Sequence, residues 1–291
     1  MPDPTKILAT VRRAAEFARA IRNRSGSVVT LDESATDVLV VGDLHGHLHN
    51  FAAALKVAAL AANPGRHLVL QELVHDPRTD PDDPVGDLSH RLVDIVCALK
   101  CQYPDRVHYL PGNHELSELT GRSIAKKGVA LNQLFRLGLE TSYGTMAEPI
   151  REAYDVLFRS LPLAIRTANR VFVCHTIPEA GQIDSFDRTV LSAADWPPES
   201  LVRGGSVYAM TWGRDTSIET TERFAQVVDA DLFVCGHQPC DEGFRRANNR
   251  LVLLDGTDPV GAYCLFPARG PIGIDDLMAG ARLFSGTFGG G

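Results

Sequence analysis

The stretch Val38-Leu39-Val40-Val41-Gly42-Asp43-Leu44-His45-Gly46 decides the fold class and carries the first sign of a site. Its apolar half is typical of a buried strand, and Asp43 and His45 stand where that strand ends. Carboxylate oxygens and neutral imidazole nitrogens are good ligands for divalent metals of intermediate softness. In α/β proteins, sites are usually built where strands end. We therefore expect a metal site directly after this strand.

The same arrangement recurs along the chain. Three further apolar runs, which end at Leu110, Cys174 and Cys235, are each followed by residues that bind metals or transfer protons. The residues that follow these runs are Asn113 with His114, then His175, then His237. Chance placement would rarely put such residues after four strand-like runs, so the sequence predicts one site assembled from several strand ends.

The order of the apolar runs predicts the fold. Residues 37–110 alternate strand, helix, strand, helix, strand, which is typical of a parallel sheet covered by helices. We expect an α/β fold of two packed sheets flanked by helices. Beyond residue 110, the pattern predicts helices at 123–139, 150–160 and 220–229, a hairpin of 163–166 with 170–174, a strand at 231–235, and antiparallel strands at 244–247, 251–254 and 262–266.

The organisation predicted from these patterns has three parts. They are an N-terminal helical extension at residues 1–36, one catalytic domain at 37–268, and a tail at 269–291 whose Gly-rich end, 285–291, we expect to be disordered.

Composition narrows the class of protein. With 44% hydrophobic and 22% charged residues, the chain resembles an ordinary soluble globular protein. A net charge of -7 disfavours non-specific binding to nucleic acid or to an anionic membrane. No apolar run approaches the roughly 18 residues that span a bilayer, and residues 6–24 lack the apolar core of a secretory signal. Six cysteines, mostly inside apolar runs, favour reduced thiols and a cytoplasmic location. Nothing in the sequence indicates an oligomeric state.

Taken in order, the four motifs resemble the dinuclear metallophosphatases, and most closely the phosphoprotein phosphatase family of calcineurin-like phosphoesterases. The motifs are Gly42-Asp43-Leu44-His45-Gly46, Gly112-Asn113-His114-Glu115, Val173-Cys174-His175 and Gly236-His237. The stretches Phe158-Arg159-Ser160-Leu161-Pro162 and Trp212-Gly213-Arg214-Asp215 are also similar to the family. The resemblance implies a calcineurin-like sandwich of two mixed β-sheets flanked by helices.

The resemblance also implies a role for each motif residue. Asp43 and His45 would hold one divalent metal, and Asn113, His175 and His237 a second. His114 would be the general acid that protonates the leaving oxygen. Two metals can activate a bridging hydroxide and stabilise charge on the transferring phosphoryl group. Manganese, iron and zinc all suit these oxygen and nitrogen ligands.

The family's second motif falls between the first two stretches named above, and this chain departs from it. Where the family has Gly-Asp-x-x-Asp-Arg, this chain has Gln71-Glu72-Leu73-Val74-His75-Asp76-Pro77-Arg78. Glu72 falls at the position of the metal-bridging Asp, and we expect it to be the bridging ligand. His75 replaces the Asp that orients the acid histidine, so we expect His75 and Asp76 to lie behind the ligands, with Asp76 as the partner that could swing in.

The phosphate-binding arginines are less sharply indicated. A planar guanidinium is the usual partner of phosphate, and the candidates are Arg78, Arg122, Arg203 and Arg214. Of these, we expect Arg78 and Arg203 to bind substrate, because they lie nearest to the positions at which the family carries arginine.

These inferences predict a metal-dependent phosphomonoester hydrolase that resembles serine/threonine protein phosphatases. Its partner would be a phosphorylated protein or a small phosphoester. Two alternatives stay open at this point. One is a phosphohydrolase of dinucleoside polyphosphates or other nucleotides. The other is a degenerate binding protein, in which the changes at Glu72 and His75 removed catalysis but left a metal-supported phosphate-binding surface.

Overall fold

The computed structural model describes residues 3–126, 128–257, 259 and 261–287. Its strands are β1 Arg24–Ser25, β2 Val28–Thr30, β3 Asp37–Asp43, β4 Arg66–Gln71, β5 Val107–Leu110, β6 Ala125–Lys126, β7 Val129–Ala130, β8 Ala164–Arg166, β9 Val171–Cys174, β10 Leu232–Cys235, β11 Phe244–Arg246, β12 Leu251–Leu254, β13 Ala262–Pro267 and β14 Ala281–Leu283. Its helices are α1 Pro4–Arg19, α2 Leu48–Ala58, α3 His90–Gln102, α4 Asn113–Thr120, α5 Leu131–Tyr143, α6 Ala147–Ser160, α7 Ala180–Ile183, α8 Thr189–Ser192, α9 Ser206–Trp212, α10 Ile218–Val228, α11 Ile274–Gly280 and α12 Phe284–Thr287.

Two mixed β-sheets with helices around them form the architecture, which confirms the predicted fold class. The larger sheet has the order β1-β2-β8-β9-β10-β12-β11, and the smaller has the order β14-β13-β3-β4-β5. In the smaller sheet, β3, β4 and β5 run parallel and β13 runs antiparallel to β3. In the larger sheet, β9, β10 and β12 are parallel.

Side chains alternate between two apolar layers along β3. Val38 and Val40 belong to the core between the sheets, whereas Leu39 and Val41 belong to the core beneath the surrounding helices. In the larger sheet, Val171 and Val173 of β9 likewise join the core between the sheets. Because each of these strands is buried on both faces, it reads as a continuous apolar run, and this is why the sequence located it correctly.

Both ends of the described chain are joined to this framework. Helix α1 packs against α3 and α6 and buries Val11, Ala14, Ala15 and Ala18. Strand β2 pairs in parallel with β8, so part of the predicted N-terminal extension lies inside the larger sheet. Near the C-terminus, β14 pairs with β13. The end of the predicted tail, 288–291, lies outside the described residues.

Two predictions about elements were wrong. The expected helix at 123–139 begins only at Leu131, because β6 and β7 form an antiparallel pair before it, with Gly128 at φ 82° in the turn. The strand expected at 262–266 does not continue the β11–β12 pair. It crosses to the smaller sheet as β13 and pairs with β3. In the described part of the chain, no helix is long and apolar enough to span a membrane.

Candidate metal centre and active site

Loops that follow five strands converge on one cleft. The loop after β3 carries His45, the loop after β4 carries Glu72, and His114 lies at the start of α4 after β5. His175 directly follows β9, and His237 follows β10 by one glycine. Parallel strands in each sheet end on the same side, so the polar residues that follow them are brought together, as the sequence predicts.

The carboxylate of Glu72 lies at the centre of the cluster. Its Oε2 atom is 3.3 Å from His45 Nε2 and 3.6 Å from His175 Nε2. Its Oε1 atom accepts a hydrogen bond of 2.8 Å from the backbone N–H of His114. Glu72 is thus shared by two potential ligand groups, one with His45 and His114 and one with His175 and His237.

Asp43 lies beside the second group. Its Oδ2 atom accepts a 2.7 Å hydrogen bond from the backbone N–H of His237, and its Oδ1 atom is 3.5 Å from His175 Nδ1. The two rings also meet, with His175 Nε2 at 3.2 Å from His237 Nδ1. The structure therefore brings Asp43, His45, Glu72, His175 and His237 into one cluster. Asn113 is buried in the first turn of α4, next to His114, and its role as a ligand stays a prediction.

The donor set fits divalent cations. Asp43 Oδ1, His175 Nδ1 and His237 Nε2 are buried and have no hydrogen-bond partner among the described residues. Buried polar atoms are normally satisfied, and a divalent cation would satisfy lone pairs that lie this close together. The mixture of carboxylate and imidazole suits manganese, iron or zinc.

Two effects shift the pKa values in the cluster: burial, which disfavours the charged form of each group, and the charges of the neighbouring side chains. Burial and then the Glu72 carboxylate raise the pKa of Asp43 well above its ordinary value. For Glu72, burial acts in the same direction, but the charges of His175, His114 and His45 outweigh it and hold its pKa well below. Burial lowers the pKa of His45, yet Glu72 and Asp43 overcome this effect and raise that pKa to about 10. A cation favours the charged carboxylates and neutral imidazoles instead.

Backbone conformation at the cluster is strained. His45, Glu72, His75 and His237 have φ values of 39°, 39°, 66° and 67°, in the left-handed region that non-glycine residues seldom adopt. Each such residue costs on the order of 1–3 kcal/mol, and such strain concentrates at functional sites. Four of the eight such non-glycine residues in the described chain surround this one cleft, which marks it as the candidate functional site.

Two glycines let the carboxylates approach the backbone. A Cβ atom on Gly112 would lie 2.1 Å from Glu72 Oε1, and one on Gly236 would lie 2.2 Å from Asp43 Oδ1. Both distances are far inside van der Waals contact, so the motifs Gly112-Asn113-His114-Glu115 and Gly236-His237 require their glycines.

Glu115 fixes the loop that carries His114. Its buried carboxylate accepts hydrogen bonds from Gly112 N at 2.8 Å, Leu73 N at 2.8 Å and the Tyr109 hydroxyl at 2.6 Å. These bonds tie the start of α4 to the loop after β4, which carries Glu72 and His75. Sequence reasoning assigned no role to Glu115, although an acid three residues into a helix is a capping signal.

His114 contacts His75 but not the carboxylate expected behind it. The Nδ1 atoms of His75 and His114 are 3.0 Å apart, and His75 Nε2 lies 2.8 Å from Glu118 Oε1. Asp76, the carboxylate that could have taken this place, accepts from the Arg78 side chain instead, at 2.9 Å and 2.7 Å. Sequence reasoning missed Glu118. The spacing of four residues from His114 on one helix was the signal that could have indicated it.

The predicted arginines lie apart from the cluster. The Arg78 side chain is engaged by Asp76, and Arg203 is exposed and is not among the residues that line the cleft. Arg122 stacks on Trp212 with 4.4 Å to the ring centre and donates to the Tyr208 hydroxyl at 2.8 Å. Arg214 lies close enough for its charge to affect the pKa values of two of the candidate ligands. Burial is the main cause of the lowered pKa of His175 and of His237, and the Arg214 charge contributes to both.

The cleft above the cluster has a volume of about 390 Å³. Asp43, His45, His114 and His237 contribute to its polar lining. Its apolar lining is formed by Pro77, Ile124, Ala125, Leu131 and Pro239. The cleft is large enough for a phosphorylated side chain and leaves the ligand atoms accessible from one side.

Fold and cleft together define a two-sheet α/β protein in which strand ends bring together side chains that could hold metal ions. The chain belongs to the calcineurin-like phosphoesterase family, whose sequence model matches residues 36–241.

Known relatives agree with this assignment. A probable serine/threonine-protein phosphatase of Encephalitozoon cuniculi is 24% identical over 262 residues, which cover 82% of this chain and 52% of that protein. Serine/threonine-protein phosphatase 5 of Solanum lycopersicum is 25% identical over 276 residues, covering 87% of this chain and 43% of that protein. The chain thus spans about half the length of the curated relatives it matches.

Solved structures share the fold. A serine/threonine phosphatase from Saccharomyces cerevisiae superposes with a TM-score of 0.65 at 15% identity, covering 90% of this chain and 82% of that one. A cold-active protein-tyrosine phosphatase of a Shewanella species gives a TM-score of 0.55 at 16% identity, covering 83% and 77%. At these identities, the likeness concerns the fold alone.

Proposed function

We propose that this chain is a metal-dependent phosphomonoester hydrolase that acts as a serine/threonine protein phosphatase. The observation that carries the proposal is the position of Glu72. Its carboxylate lies between the rings of His45 and His175 and accepts from the backbone N–H of His114. The family's bridging carboxylate is therefore matched in position by a residue one methylene longer.

Two divalent metal ions are the cofactors that we propose. By the family pattern, Asp43, His45 and Glu72 would hold one, and Glu72, Asn113, His175 and His237 would hold the other. Asp43 Oδ1, 3.5 Å from His175 Nδ1, would lie where the two ligand sets meet. When bound, the pair supplies Lewis-acid stabilisation of the phosphoryl oxygens and lowers the pKa of a water nucleophile. Manganese, iron and zinc are each compatible with the ligands.

His114 is the proposed general acid. Its backbone N–H is fixed by Glu72, and its ring lies against that of His45 with the centres 4.6 Å apart. His114 lines the cleft, so a substrate bound at the cluster would present its leaving oxygen to this ring. Protonation of that oxygen by a positioned imidazole typically accelerates such reactions about 10²–10⁴-fold.

Arg214 has the best support as the phosphate-binding arginine, ahead of the predicted Arg78 and Arg203. Its charge acts on His175 and His237, whereas Arg78 is held by Asp76. A guanidinium whose charge reaches His175 and His237 could pair with the phosphoryl oxygens of a substrate bound at the cluster.

Phosphoserine or phosphothreonine in proteins is the proposed substrate, on the strength of the named relatives. We further propose a cytoplasmic location, which the six free cysteines of the described structure support, since free thiols persist in reducing compartments.

The test is hydrolysis of three substrates with and without added Mn²⁺: p-nitrophenyl phosphate, a phosphothreonine peptide and diadenosine tetraphosphate. We expect metal-dependent release of phosphate from the first two and slow cleavage of the third. Faster cleavage of the tetraphosphate would establish the nucleotide alternative. Binding of metal and of inorganic phosphate without turnover of any substrate would establish the degenerate binding protein.

A further inference from the structure

We infer that Glu118 is a positioning residue for the acid histidine His114 and that it acts through His75. This inference rests on the proposed function. In the family, an Asp of the second motif contacts the acid histidine directly and orients it. Here we assign that orienting role to Glu118, which lies outside all the motifs.

The three side chains form a continuous hydrogen-bonded row. Glu118 Oε1 lies 2.8 Å from His75 Nε2, and His75 Nδ1 lies 3.0 Å from His114 Nδ1. The His75 side chain is fully buried, and that of Glu118 is only 13% exposed. Both ring nitrogens of His75 are therefore occupied, one by the carboxylate and one by His114.

The row fixes the positions of the protons. A carboxylate can only accept, so His75 must carry its proton on Nε2 and donate it to Glu118. When His75 is neutral, its Nδ1 atom accepts, and the row is then satisfied only if His114 donates its own Nδ1–H. This leaves His114 Nε2 as the nitrogen that exchanges a proton with substrate. Glu118 thus determines which nitrogen of His114 is available for catalysis.

Neighbouring residues hold the row rigid. Asn132 Nδ2 donates to the same Oε1 atom of Glu118 at 2.6 Å, and its Oδ1 accepts from Ile124 N at 3.1 Å. The backbone N–H of His75 donates to Ser89 Oγ at 2.9 Å, and the ring of His75 packs edge-on against Phe135. A row with so many independent supports can keep His114 in one orientation.

The competing carboxylate is engaged elsewhere. Asp76 directly follows His75, but its two oxygens accept from the Arg78 side chain. Glu118 reaches His75 from the adjacent helix instead, from the turn of α4 that follows His114. The longer imidazole at position 75 therefore spans the gap between a carboxylate on α4 and the ring that it orients.

The first test compares two leaving groups. Glu118→Gln keeps the size of the side chain and removes its charge, while Glu140→Gln makes the same change on the exposed face of α5. We expect Glu118→Gln to lower kcat on phenyl phosphate by about 10-fold and on p-nitrophenyl phosphate by less than about 2-fold, because only the poorer leaving group needs full protonation. KM should stay unchanged. Equal losses on both substrates, or none, would overturn the inference.

The second test restores a direct carboxylate. His75→Asp places a carboxylate next to His114, which should make Glu118 dispensable. In that background, we expect Glu118→Gln to change kcat on phenyl phosphate by less than about 2-fold, since the two residues act as one unit. The same loss in both backgrounds would mean that Glu118 supports the fold and not His114.

The third test needs no turnover, so it separates this inference from the proposed function. Long-range ¹H–¹⁵N spectra of histidine-labelled, Zn²⁺-loaded protein report which ring nitrogen carries the proton, and His75→Asp identifies the His75 signals. We expect neutral His75 protonated on Nε2 in the wild type, and loss of this preference in Glu118→Leu, which offers no acceptor to that nitrogen. A wild-type His75 protonated on Nδ1 would overturn the inference whether or not the protein hydrolyses any phosphoester.

Discussion

The Oε2 atom of Glu72 lies 3.3 Å from Nε2 of His45. With the contact to His175, this contact puts the Glu72 carboxylate between the two potential ligand groups, where we propose that it takes the part of the family's bridging Asp. Because Glu72 Oε1 is held by the backbone N–H of His114, Oε2 is directed into the cluster. The backbone of Glu72 itself lies in the left-handed region, with φ at 39°.

Removing the acid imidazole should abolish turnover but not metal binding. We expect His114→Ala to lower kcat on phenyl phosphate by about 10²–10⁴-fold, the usual contribution of a general acid. Its metal content, measured by elemental analysis, should equal that of the wild type, since none of the proposed metal ligands is changed. Unchanged turnover would show that another group protonates the leaving oxygen.

Filling the space beside Asp43 should weaken metal binding. In Gly236→Ala, the new Cβ would lie 2.2 Å from Asp43 Oδ1, so the carboxylate must move. We expect the affinity for Mn²⁺, measured by calorimetry, to fall about 10–100-fold, as it does when ligand-orienting groups are disturbed. Gly181→Ala is the matched control, because its Cβ would meet nothing within 4 Å. Equal affinities in the two variants would contradict the placement of Asp43.

A buried carboxylate far from the motifs should make stability depend on pH. Burial raises the pKa of Asp94 to about 6, while hydrogen bonds from Tyr143 and Tyr154 oppose the rise. In the unfolded chain the pKa of an Asp is about 3.9. Between that pH and pH 6, the folded chain therefore binds more protons than the unfolded chain. The contribution of Asp94 to the free energy of unfolding is therefore greatest below pH 4 and is lost as pH rises to about 6.

Asp94→Asn isolates this effect. We expect the difference in unfolding free energy, wild type minus variant, to fall by on the order of 2 kcal/mol between pH 4 and pH 7. Urea unfolding at the two pH values measures it. A difference that is constant with pH, or that grows, would show that Asp94 is ionised in the folded protein at low pH.

The strand ends, and with them most of the cluster, could be predicted from sequence. Strands buried on both faces give unbroken apolar runs, so Asp43, His175 and His237 were located simply by following β3, β9 and β10. Glu72 was located by its register after β4. These residues are close in sequence to the element that positions them, and local patterns therefore suffice.

Contacts that depend on packing between elements could not be predicted. Glu118 contacts His75 only because α4 packs beside the loop after β4. Asp76 does not contact His114 because its carboxylate accepts from the Arg78 side chain. Strand β13 crosses to the smaller sheet although its composition would suit either sheet. In each case, the sequence shows a residue of suitable type but not the partner that it meets.

Metal content per chain tests the central claim most directly, namely that Glu72 is shared between two metal ions. Wild-type protein purified without chelator and equilibrated with Mn²⁺ should contain about two transition metals per chain, and Glu72→Gln about one or fewer. Glutamine keeps the shape of the side chain and can still accept from His114 N–H, so a loss of metal reports the missing charge. A wild type that holds one metal or none, or a Glu72→Gln variant that retains both, would contradict the account.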